Sequence, residues 1–127
     1  MRPAALVVEI VSALVALGCA VALVAHLVRW ALARRAGRSL GGAWHVPAAL
    51  VLCGAAVVHG TAVTLYASGA PAAAYALGWA AVASFAASGA VMVPAARRAL
   101  RNPVAAHVAL FCLGIALVVA HAVAARL

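Results

Sequence analysis

Four apolar runs, each long enough to cross a lipid bilayer, follow one another in this chain with only short joints between them. Hydrocarbon about 30 Å thick calls for about 20 apolar residues per helix, and the runs at 4–28, 44–67, 72–93 and 104–125 meet that length. The remaining composition leaves no other solvent. Seventy per cent of the residues are apolar, mean hydropathy is +1.22, and the charged side chains are nine arginines and one acid, Glu9. So little polar surface excludes a water-soluble domain. A closed barrel is the other way to span a bilayer, but these Ala, Leu and Val runs lack the period-two alternation of lipid-facing strands. The expected fold is therefore a single all-α domain over 1–127, a four-helix transmembrane bundle in a membrane such as the bacterial cytoplasmic one.

The joints set the topology. The first run leads into Arg29, Arg34, Arg35 and Arg38, with Gly37, Gly41 and Gly42 forming a turn; the third leads into Arg97, Arg98 and Arg101. Between the second and third runs lies an uncharged turn, Ser68-Gly69-Ala70-Pro71. Arginine-rich joints stay in the cytoplasm, which predicts that both chain termini are extracytoplasmic. The N-terminal run is read as retained: one leading Arg, excess length and a strong positive flank on its far side do not suit a signal peptide. Gly18-Cys19 is a faint lipoprotein-like dipeptide, but the apolar run continues beyond it. Asn102-Pro103 suits an N-cap and a first helical residue.

Histidines supply the chemistry. The second run carries His45 and His59, and the fourth carries His107 and His121, each pair fourteen residues apart. Fourteen residues are about four helical turns, with a drift of only about 40° on a straight helix, so both members of a pair share one face. At 1.5 Å per residue they are separated by about 21 Å along the axis. Because the second and fourth helices run the same way, His45 is level with His107 and His59 with His121. Four intramembrane imidazoles at matched depths point to function, although helix-bridging hydrogen bonds are the plain alternative. Imidazole ligates iron, and haem iron takes one axial ligand from each side. The predicted ligand pairs are thus His45 with His107 and His59 with His121.

In these residues the chain resembles the two-haem membrane cytochromes b, in which two helices of a four-helix bundle each carry two histidines with thirteen intervening residues. The resemblance covers the four-helix core and rests on spacing and topology. It implies two non-covalent haem b groups clamped between the second and fourth helices. It also implies glycines packed against them, for which Gly18, Gly78, Gly89 and Gly114 are candidates. The expected function is transmembrane electron transfer, between a quinone pool or a reductase and a partner redox protein or subunit. The further helices and quinone-site motifs of the large respiratory proteins are absent from the chain.

Other residues have a plain reading beside a functional one. Cys19, Cys53 and Cys112 suit small buried hydrophobes, and no Cys-x-x-Cys-His occurs for covalent haem attachment. No compact Cys/His cluster suggests zinc. His26 is either a helix-bridging histidine or a group near a haem propionate or quinone. Glu9 is either an interfacial carboxylate or a proton acceptor. The arginines set topology, and one or two of Arg29, Arg34, Arg35, Arg38, Arg97, Arg98 and Arg101, with Arg97 and Arg98 foremost, are candidates to pair with carboxylates of the inner haem. Anionic membrane lipids account for the net charge of +8 without nucleic acid. Trp30 and Trp44 suit an interfacial belt, while Trp79 packs deeper. Four short helices with one carboxylate in the first also resemble small multidrug-resistance transporters, in which case Glu9 would couple proton and cation movement. A cofactor-free membrane anchor is the third alternative.

Overall fold

The computed structural model of the chain describes residues 3–66 and 69–126. Arg2, Ala67, Ser68 and Leu127 lie outside them, and with them the predicted last residue of the second run. Five helices follow in order: α1 (Pro3–Arg35), α2 (His45–Tyr66), α3 (Ala72–Ala90), α4 (Pro94–Ala99) and α5 (Pro103–Ala124). No strand occurs among the described residues. Four helices, all but α4, are long and apolar enough to span a membrane, so the chain is a multi-pass, all-α membrane protein.

Two ends differ from the sequence reading. α1 does not stop with its apolar run at Val28 but continues to Arg35. Residues 29–36 are helix formers without Gly or Pro, and arginine side chains end an apolar run without ending a helix. Gly37 is what ends it. It adopts a positive φ of 67°, Arg38 N–H donates to Ala33 O at 2.8 Å and Gly37 N–H to Arg34 O at 3.1 Å. This is the paired bonding of a glycine-terminated helix, and it turns the chain back on itself. The third predicted run is also cut short, at Ala90, because Pro94 starts a separate short helix that carries Arg97 and Arg98 in its last turn. At the start of α5 the Asn102 side chain accepts from Ala105 N–H at 3.1 Å, and Pro103 takes the first turn, as the sequence suggests.

α1 pairs with α2 and α3 with α5, as two antiparallel hairpins; a smaller α2–α3 contact joins them. Consequently α2 and α5 run in the same direction. One end of the bundle, here the arginine end, holds Arg29 to Arg38 and α4; the other, the far end, holds Glu9 and the α2–α3 turn. Lipid tails are as apolar as leucine, so close packing by small residues replaces the hydrophobic drive between helices. The core is accordingly small: Ala20, Leu23, Leu52, Ala81 and Phe85 are buried, with Ala16, Cys19, Ala48 and Cys53 against them. Most other large apolar side chains, Leu14 and Leu50 among them, are exposed toward lipid.

Candidate functional site

The histidine stripes do face the bundle interior. Leu52 lies midway between His45 and His59, Gly114 midway between His107 and His121, and both are buried. Between the two histidine levels Phe85 lies against Gly114 so closely that a Cβ there would come within 2.5 Å of its ring. Leu52, Ala81 and Phe85 thereby form an apolar septum separating one level from the other.

At the far end, His59 and His121 come from different hairpins and meet. Their ring centroids are 6.4 Å apart and their planes are inclined at 86°. Both line a partly open cavity of about 210 Å³ whose wall includes Ala16, Ala56, Gly60, Gly78, Val82 and Phe85. His59 Nδ1–H donates to Glu9 O at 3.2 Å, and His121 Nδ1–H to Ala74 O at 2.7 Å. A carbonyl oxygen can only accept, so Nδ1 carries the proton in each ring and Nε2 is left with its lone pair.

The local sequence shapes the surroundings of both bonds. Ala74 O is reached because residue 78, one turn on, is glycine. A Cβ at Gly78 would lie 3.2 Å from His121 Nδ1, where a larger side chain would displace the ring. Glu9 O also accepts from the Ser12 hydroxyl at 3.1 Å, which donates to Val8 O at 2.6 Å as well. Gly60 plays a related part: the Trp79 ring lies 3.3 Å from where its Cβ would be. Trp79 Nε1–H donates to Thr64 Oγ1 at 3.3 Å, and Thr64 Oγ1 donates to Gly60 O at 2.6 Å. Thr64, Tyr75 and Gly60 line the cavity without having been singled out by the sequence reading, which had Gly78 and Trp79 as signals of this wall.

The arginine end is built differently. His107 Nδ1–H donates to Ser88 O at 2.7 Å and Ser88 Oγ at 2.9 Å, and the Ser88 hydroxyl donates to His107 O at 2.9 Å. Ser88 O is one of the last carbonyls of α3, which lack a donor inside the helix. His45 Nδ1–H donates to Gly42 O. These two rings also keep Nε2 free. They do not contact each other: His45 stacks on His26, centroids 5.3 Å apart and planes 11° apart, and His26 meets Trp44 edge-on at 5.1 Å. Gly42 permits this, since a Cβ there would lie 2.5 Å from the His26 ring.

The remaining candidates fall into place more simply. Glu9 offers its main-chain carbonyl to His59, and its carboxylate is not part of the cavity wall. Arg97 and Arg98 are on α4, at the arginine end. Of the glycines, Gly78 and Gly114 make close approaches, whereas Gly18 and Gly89 have open space around them. No group of three or more His, Cys, Asp or Glu side chains converges on a metal position among the described residues. The chemistry on offer is therefore that of paired imidazoles. Two imidazoles binding one metal ion from opposite sides put their ring centres about 6.3 Å apart, taking about 2.0–2.1 Å per metal–nitrogen bond and about 1.1 Å from nitrogen to ring centre. Both ring planes contain that axis, so any angle between them is allowed. The far-end pair has this separation, with Nδ1 of both rings engaged; at the arginine end His45 is stacked on His26 instead. The far end thus offers two imidazole Nε2 lone pairs beside one cavity, the donor type that haem iron accepts.

A multi-pass helical membrane protein with a paired-histidine cavity is the class that fold and site define. Comparison with protein families, with curated proteins and with solved structures returned no match to this chain.

Proposed function

We propose that this protein is a small electron-transfer cytochrome of the membrane, holding one haem b between His59 and His121 and a second between His45 and His107. The observation that carries the reading is the far-end pair: two imidazoles from parallel helices at the separation axial ligation requires, facing one cavity. The second haem rests on the matched depth of His45 and His107 and on the Nδ1 anchoring that they share with the far-end pair, and binding it requires His45 to leave its stack on His26 and come opposite His107. When bound, haem b supplies reversible one-electron transfer, which two histidine ligands favour over oxygen binding.

The chain's own residues provide orientation and insulation. Main-chain acceptors hold the four rings in one tautomer, as the outer partners of ligating histidines generally do. Leu52, Ala81 and Phe85 exclude water between the two levels, and Gly78 and Gly60 let the His121 and Trp79 rings lie close against α3 and α2. With the arginine end in the cytoplasm by the positive-inside rule, the two levels lie toward opposite faces of a membrane such as the bacterial cytoplasmic one. Electrons would pass between a quinone or reductase and a partner redox protein.

The test is the haem-to-protein ratio of detergent-purified protein from a haem-sufficient host, by pyridine haemochrome and reduced-minus-oxidised spectra. Two low-spin b haems per chain are expected. Protein that remains colourless after haem addition sinks the proposal.

A further inference from the structure

At the arginine end, outside the histidine levels, a second cavity of about 420 Å³ lies between the last turns of α1 and the segment that follows. Arg29, Leu32 and Ala36 come from one face of the helix, Arg38, Ser39 and Leu40 from the returning chain. The cavity exists because of the Gly37 turn. Its positive φ reverses the chain, so that residue 38 onward folds back beside the helix it has just left. Two arginines and a serine thus line one open groove with Leu32, Ala33, Ala36 and Leu40.

Both arginines are exposed, and among the described residues no acidic side chain lies near them. The chain's only acidic side chain, Glu9, is on the same helix, twenty residues before Arg29 and about 30 Å away along the axis. Arg34 is committed elsewhere, its guanidinium carbon 5.4 Å from the Trp30 ring centre. Depth narrows the class of anion. Arg29 and Trp30 directly follow the apolar run of α1, the level at which aromatic and basic residues meet lipid headgroups. Guanidinium pairs with phosphate oxygens in a bidentate manner, and Leu32, Ala36 and Leu40 give the wall an apolar character that a free inorganic anion would not use.

We infer that this pocket binds the phosphate headgroup of an anionic phospholipid, with Arg29 and Arg38 on the phosphate and the apolar wall against the start of its chains. The site lies beside the arginine-end histidine level, since Arg29 is within electrostatic reach of His26, and its occupant holds the end of α1 to the returning chain.

The test uses the full chain in neutral detergent, with lipid retention read by native mass spectrometry after exposure to equal phosphatidylglycerol and phosphatidylcholine. Wild type is expected to retain phosphatidylglycerol selectively. Arg29→Gln with Arg38→Gln should weaken retention roughly thirtyfold, whereas Arg97→Gln with Arg98→Gln, the same charge change on the same end, should alter it by no more than about twofold. Circular dichroism confirms that both double variants remain helical. Equal losses in the two would overturn the site in favour of diffuse surface charge. Displacement of the lipid by excess inorganic phosphate would overturn the lipid assignment in favour of a free anion.

Discussion

The two histidine levels arise from one spacing and end in two arrangements. At the far end His59 and His121 each reach across to the first helix of a hairpin for a main-chain acceptor, and their rings then meet over a cavity. At the arginine end His107 is bound by Ser88, while His45 bonds its own preceding loop and lies against His26. What differs is the neighbour. α1 presents a main-chain carbonyl at the far end and an imidazole at the arginine end. Matched depth is set by residue spacing, but convergence is set by the bulk and hydrogen-bonding groups of the helices alongside.

The largest expected effect comes from removing one ligand at a time. His121→Ala should halve the haem content, leaving the His45–His107 level, and His107→Ala should halve it from the other side. Spectra of the two variants should then sum to the wild-type spectrum. A variant that loses both haems together would show that the septum of Leu52 and Phe85 does not separate the levels.

Gly78→Val comes next. Its side chain would push the His121 ring away from Ala74 O, an overpacking cost of about 1–3 kcal/mol. Loss of far-end haem with the other level intact is the expected result, read from the same difference spectra and from a lowered melting temperature. Gly42→Ala acts only at the arginine end, where the added methyl group displaces the His26 ring from its stack on His45. It should shift the spectrum of that level and leave haem content unchanged. Glu9→Gln should do least of all, because His59 bonds the main-chain carbonyl, which the substitution retains. Redox and spectral properties are expected to match wild type; loss of function in this variant alone would turn attention to a proton-coupled transporter.

Much of the fold was legible in the sequence because hydrocarbon imposes a length and a polarity on anything that crosses it. The four spans, the Asn102 cap and the shared faces of His45 with His59 and His107 with His121 follow from helical geometry and from the need to satisfy every backbone group within the helix. The extension of α1 to Arg35 escaped notice because apolar content ends at Val28 while helix propensity does not. The separate helix α4 was hidden in the same way, by a proline that stops one helix and starts another.

The tertiary structure alone decided which histidines meet. Fourteen-residue spacing puts four imidazoles on inward faces at two depths, and any of them could bridge helices. Choosing among partners depended on contacts remote in sequence: Gly78 clearing the way to Ala74 O, Glu9 O accepting from His59, Gly42 admitting His26 beside His45. Each turns on the absence or presence of a few atoms on a neighbouring helix, and periodicity within one helix carries no information about that neighbour.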